Sequence, residues 1–282
     1  MFDSIRSLAL AAVALGVLWF EHKRSLRPIA DFKLRRDARN LTIAGLAAVA
    51  VQVIEVPVAI AVARATQRTH AGLLQRAPIP RLGKPLVAIL LLDYTLYVWH
   101  RLTHRMPLLW RFHRVHHIDR EMDASTALRF HFGEITLSVA FRAAQMRLIG
   151  PSPEMYATWQ MLLMMCILFH HSNIRLPLEW ERRLATVLVT PRLHAIHHSV
   201  DAEDLNSNWS SGLTIWDWLH GTLRTKVPQD SIVLGIQGFR GDRDQEVGNL
   251  LVHPFVCPAD VPVISGKTLR EPPSQLYDSR RT

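Results

Sequence analysis

Histidine is the residue on which the chemistry of this chain turns. The stretch "RFHRVHH" carries His113, His116 and His117, and "RLHAIHH" repeats the spacing with His194, His197 and His198. Positions i, i+3 and i+4 put three imidazoles on one face of a helix. Neutral imidazole binds iron, zinc, copper and nickel, and three protonated imidazoles so close would repel. A metal cation in place of the protons answers both points. "HRLTH" adds His100 and His104, again an i, i+4 pair. Counted at helical spacing, Asp93, Tyr97, His100 and His104 form one stripe. A carboxylate at Asp93, inside an apolar run, would be explained if it oriented a metal-bound imidazole.

Two triples and a pair make eight imidazoles, too many for one tetrahedral zinc and suited to two metal ions with open positions. Two further candidates lie between the triples. "LRFHFGE" sets His131 between Arg129 and Glu134, and "FHHSN" ends an apolar run with His170 and His171, either of which could be a ligand. His22, His70, His220 and His253 stand alone and read as satisfied or solvated surface residues. The Glu-x-x-His pair of carboxylate-bridged di-iron bundles is missing. So is H-E-x-x-H, which a zinc hydrolase would use to supply its general base. Metal-dependent hydrolysis and non-catalytic metal binding remain the alternatives to oxygen chemistry.

The elements that must position these residues are apolar and basic. The chain has 282 residues, 49% of them hydrophobic, and a formal charge of +9. Apolar blocks concentrate before residue 171, which points to a membrane protein. No nucleic-acid module is legible, and the cations flank apolar blocks, where lipid headgroups and topology account for them. Cys166 and Cys257 form no C-x-x-C and read as free thiols.

Residues 5–20 form a first apolar run without a small-residue cleavage site, read as an uncleaved span. Residues 41–63 form a second, interrupted by Glu55 and Pro57, with the glutamate expected to face protein or water. Residues 85–100 form a third, which leads straight into the histidines. Residues 135–149 and 155–169 flank "GPSP" and predict a helical hairpin. Thr190 and Pro191 predict a capped helix start before the second triple. The basic segment 21–40 goes to the cytoplasm by the positive-inside rule, although the basic connection 65–84 argues the other way. With a hairpin at 135–170, every histidine cluster lands on the same side, the cytoplasmic face. The expectation is an all-α integral membrane protein with about three long spans, a short helical hairpin and a helical cytosolic cap carrying the histidine clusters. Its parts are a membrane region (1–99), a first cap segment (100–134), the hairpin (135–170), a second cap segment (171–257) and a disordered tail (258–282).

The order H-x3-H, H-x2-HH, H-x2-HH resembles the fatty acid hydroxylase/sterol desaturase superfamily of membrane non-haem di-iron enzymes. "LLWRFHRVHH", "LRFHFGE", "FHHSNIRLP", "TPRLHAIHH" and "GLTIWDWLHGT" are similar to its recurring blocks, in the same order, from about Asp93 to Thr222. The resemblance implies two irons held by His100, His104, His113, His116, His117, His194, His197 and His198, with His171 and His131 as further ligands. It implies that Asp93, Glu134 and Asp217 orient the metal-bound imidazoles or serve the structure. Departures occur at Asn208-Trp209-Ser210, where the family often has Asn-Tyr-Gly, at His220, where it has phenylalanine, and at Phe132, where proline is common. The implied reaction is O2-dependent hydroxylation or desaturation of a lipid. No Gly-x-Gly-x-x-Gly loop, haem-attachment motif or fused cytochrome block is present, so electrons would come from a separate cytochrome, ferredoxin or reductase.

Overall fold

The computed structural model describes residues 2–29 and 33–256. The predicted tail, 258–282, and Cys257 lie outside them. Within them the chain is all-helical, and extended pairing is limited to isolated bridges, Ser25 to Ile174, Leu188 to Leu213 and Ser199 to Leu234.

Helix α1 (Phe2–Lys23) is followed by α2 (Lys33–Ala50), a π-turn (Val51–Glu55) and α3 (Val56–Arg68). The predicted second span is thus one long helix with a wider turn in it. Pro57 lacks an N–H for the ladder, and at Val56 the N–H reaches the Val51 carbonyl five residues back. Glu55 is buried, as an intramembrane carboxylate demands. The Arg142 guanidinium lies 3.3 Å from it, and the Tyr156 hydroxyl donates to it at 3.2 Å.

The short α4 (Leu73–Arg76) leads to α5 (Lys84–Arg105), 22 residues and about 33 Å long. The α1 segment Ser4–Lys23 and the segment Lys33–Arg76 are long and apolar enough to cross a membrane. The predicted hairpin is present as α7 (Phe132–Ile149) and α8 (Pro153–His171). Its corner is set by Gly150 at φ 73°, a left-handed position where a side chain would also collide with Gln75 and Gly72. Ser152 then caps α8 by accepting from the Met155 N–H. Helix α5 packs on both arms of the hairpin, while α1 lies against α8, and α2 and α3 against α7.

The remaining helices form a further layer, with α6 (Pro107–His117) against α5, α10 (Pro191–His197) against α8 and α12 (Ile215–His220) against the middle of α5, together with α9 (Leu178–Leu184), α11 (Ala202–Leu205) and α13 (Val247–Val256). Pro191 opens α10 as expected, but Thr190 makes no capping hydrogen bond to it.

A closed polar network ties this layer to the N-terminal region. Arg36 grips Asp119 with two bonds of 3.0 Å and Asp123 with one of 2.7 Å. Asn40 and Thr126 also donate to Asp119, at 3.0 Å each. Arg129, fully buried beside them, donates to the Asn40 side chain and the Val115 carbonyl. Held from this side, α6 presents its histidines to the opposite one.

Candidate metal centre

Five elements converge on one buried volume: the last turns of α5 and α8, helices α6 and α10, and the loop 206–210. Nine imidazoles fill it in two groups, within each of which one ring nitrogen per residue lies within 4.8 Å of all the others. The first holds His100, His104, His113, His117 and His197; the second holds His116, His171, His194 and His198. The groups adjoin, with the His117 and His198 ring centroids 4.3 Å apart. Each sequence triple is divided between them. In each, the i, i+4 pair enters one group, His113 with His117 and His194 with His198, while His116 and His197 cross to the other.

Hydrogen bonds fix the tautomers. His100 Nδ1 lies 2.7 Å from the Trp209 carbonyl, and His197 Nδ1 lies 2.8 Å from the Ser207 carbonyl. A carbonyl oxygen only accepts, so both Nδ1 atoms carry the proton and, in the neutral ring, both Nε2 atoms are bare. Those two Nε2 atoms face each other at 3.1 Å. His171 repeats the pattern: its Nδ1 donates to the Ile167 carbonyl at 2.9 Å. Its Nε2 stands 3.0 Å from that of His116 and 2.9 Å from that of His194. His113 Nδ1 donates to the Glu134 carboxylate at 2.8 Å, leaving its Nε2 3.2 Å from that of His117. Burial pushes the His116, His117, His194, His197 and His198 pKa values well below the ordinary imidazole value, and His171 to about 3. Neighbouring imidazoles push the same way. Neutral rings with lone pairs turned on one another are what a cation satisfies. Spacings near 3 Å are those of adjacent nitrogen ligands around an ion at bond lengths of about 2.1 Å. The donor set therefore fits two metal ions.

The backbone behind the first group is built from Asp217. Its carboxylate accepts from the Trp209 and Ser210 N–H groups at 2.9 Å each and from the Thr222 hydroxyl at 2.6 Å. That holds the Trp209 carbonyl to His100. Asn208, at φ 51°, turns the chain there, its amide bonded to the Leu193 and Arg224 carbonyls. Trp110, fully buried, packs its ring against His104 at 5.0 Å and His117 at 5.7 Å.

Several predicted residues take other places. His131 stands apart from both groups, because its two nitrogens are already engaged. Nδ1 accepts from the Gly133 N–H, capping α7, and Nε2 donates to the Leu251 carbonyl. Asp93 bonds no histidine; of its two expected roles it takes the structural one, accepting from the Leu213 N–H at 3.0 Å and Trp216 Nε1 at 2.7 Å. The approach is so close that a side chain at Gly212 would strike it. Glu134 does contact a cage histidine. His170 is buried with its ring centroid 4.1 Å from that of His194, but belongs to neither group. His253, expected at the surface, is buried against Phe239. What a single sequence hides is the backbone share of the site: the carbonyls of Trp209, Ser207 and Ile167 carry no side-chain signal.

A family model described as fatty acid hydroxylase matches residues 85–222, the span that contains all nine imidazoles. Ornithine lipid hydroxylase OlsE of Rhizobium tropici is 29% identical over 162 residues, 56% of this chain and 47% of that protein. Cholesterol 25-hydroxylase-like protein of Danio rerio is 34% identical over 139 residues, 48% of this chain and 53% of that one. Human alkylglycerol monooxygenase is 28% identical over 149 residues, 53% of this chain and 32% of its own length. The chain thus matches less than two thirds of each of these relatives. No solved structure gives a significant match. Through its histidine-bearing region the chain belongs to the fatty acid hydroxylase/sterol desaturase superfamily.

Proposed function

We propose that this chain is an integral membrane, O2-dependent di-iron oxidoreductase that hydroxylates a C–H bond of a lipid, with its histidines on the cytoplasmic face. The observation that carries this reading is the pair of bare Nε2 atoms of His100 and His197, 3.1 Å apart in a buried cage. His100, His104, His113, His117 and His197 would hold one iron, and His116, His171, His194 and His198 the other. His131 is left to cap α7. With electrons and O2, two irons so held supply an oxidant strong enough to take hydrogen from an unactivated alkyl or ring carbon.

The chain's own residues supply position and dryness. Glu134, the Trp209 carbonyl and the Ser207 carbonyl hold three rings with Nε2 inward. Trp110 and the helix ends shut water out of a volume where each of the nine imidazoles is less than a tenth exposed. From the cage, α5 and α8 run into the apolar helices α1 and α7, the side from which a lipid would reach it. The relatives are named for hydroxylation of an ornithine lipid, an alkylglycerol or cholesterol, which favours hydroxylation over desaturation. Electrons are expected from a separate cytochrome, ferredoxin or reductase.

The test joins metal analysis to lipid mass spectrometry. Protein reconstituted anaerobically should hold about two irons, and cells carrying the gene should gain lipids heavier by one oxygen. Less than one iron per chain would overturn the di-iron reading, and retained zinc with oxygen-independent esterase activity would replace it with a zinc hydrolase. Lipids unchanged by the gene, with metal bound, would leave a non-catalytic metal-binding protein.

A further inference from the structure

We infer that α9 and α12 are not wholly in the cytosol: their outer faces lie in the lipid leaflet beside α5. The inference rests on the reading of α5 as a membrane-crossing helix. Helix α12 packs against the middle of α5, not its cytosolic end. Trp216 donates to Asp93 and tilts against Tyr94 at 5.1 Å, while His220 stacks on Tyr97 at 4.9 Å. Asp93 and Tyr94 lie halfway along a 22-residue helix, about 15 Å from either end. A helix bonded to that point lies at the depth of the apolar run.

The exposed side of α12 suits that depth. Asp217 points inward, Trp216 and His220 face α5, and Ile215, Trp218 and Leu219 face out. The turn after α9 runs beside it, where the Thr214 N–H bonds the Val187 carbonyl and Leu188 bridges Leu213. This places Val187 next to Ile215. Trp180, exposed on α9, precedes Val187 by seven residues in the same segment. These five side chains are between 45% and 69% exposed. Water-facing surfaces rarely gather two tryptophans with three aliphatic residues, whereas tryptophan is enriched where protein meets headgroups. Helix α1 carries an equivalent pair, exposed Trp19 and Phe20, in its last turns before Lys23. Cations that anionic headgroups would pair with are at hand: Arg183 is exposed on α9, and Arg101 and Arg105 follow Tyr97 by one and two turns of α5, their guanidiniums over the Trp209 ring. The occupant of this surface is therefore the bilayer itself.

The test measures depth directly. Leu219→Cys and Val187→Cys, each in a Cys166→Ser, Cys257→Ser background, are labelled with a small fluorophore and reconstituted in phosphatidylcholine/phosphatidylglycerol vesicles. Asp242→Cys, whose side chain is 89% exposed in a charged loop, is the water-facing control. Both patch labels should be quenched by chain-brominated lipid at least three-fold more than the control and resist iodide. Labels at both positions that iodide quenches like the control would overturn the inference, as would labels shielded from both quenchers, which mean a protein contact. Iron content of the same samples separates a failed leaflet contact from a failed metal assignment, since the quenching needs no metal.

Discussion

Two polar constellations are buried within a few turns of each other, and they solve the problem of burial differently. Around Arg36, charges close on one another: Asp119 accepts from Arg36, Asn40 and Thr126, and Asp123 accepts from Arg36 and Lys33. Around His100 and His197 the bonds are made on the outside of the rings, and the inner nitrogens are left facing one another. The first network is complete as protein. The second is complete only with cations. A buried polar group needs a partner, so where the protein supplies none, the geometry names what must.

That contrast can be broken at graded cost. The largest effect is expected from His197→Ala, which removes a nitrogen from the five-membered group. Lipid hydroxylation should fall by at least about 100-fold, with iron per chain reduced, read by product mass spectrometry and metal analysis. Removing the key of the closed network should instead damage the fold. Arg36→Met leaves buried Asp123 with Lys33 alone and buried Asp119 with only the more distant Arg129, and should cost about 3–5 kcal/mol, seen in thermal unfolding.

The same network sets an acid limit. Arg36 beside them holds both carboxyls below the ordinary aspartate value of 3.8. Their contribution is therefore fully present above about pH 4 and is lost as pH falls through the depressed values. In Arg36→Met the loss should begin at higher pH, which unfolding curves between pH 3 and 7 will show. Asp217→Asn weakens the support of the Trp209 carbonyl without touching a ligand, and a 10–100-fold drop in iron affinity or activity is expected. The smallest effect belongs to His131→Ala: about 1 kcal/mol from a lost helix cap, with iron content unchanged. A loss of iron in that variant would return His131 to the ligand set.

The histidine spacing made the eight clustered imidazoles legible, since i, i+3 and i+4 can only share a helix face. The corner Gly150-Pro151-Ser152 made the hairpin legible, and Glu55 had to find a partner because hydrocarbon offers none. The division of each triple was not legible, because it depends on where α5, α8 and α10 stand around the helix that carries it. Nor was the role of Asp93, whose stripe with His100 is real but whose partner, Trp216, is remote in sequence. His131 misled for a related reason: its neighbours Arg129 and Glu134 do serve the site, one by anchoring α6 and the other by bonding His113, while the histidine between them serves α7.

The crossing of the triples has a consequence for assembly. Each group draws on three helices, and both draw on α6 and α10, so an ion bound to either would act as a crosslink between segments 82 residues apart in one group (His116 to His198) and 97 in the other (His100 to His197). Loop closure of that length is entropically costly, and metal affinity is then folding free energy. Iron supply would set how much of the chain is folded, and chelation would untie the histidine layer as one event rather than empty two independent sockets.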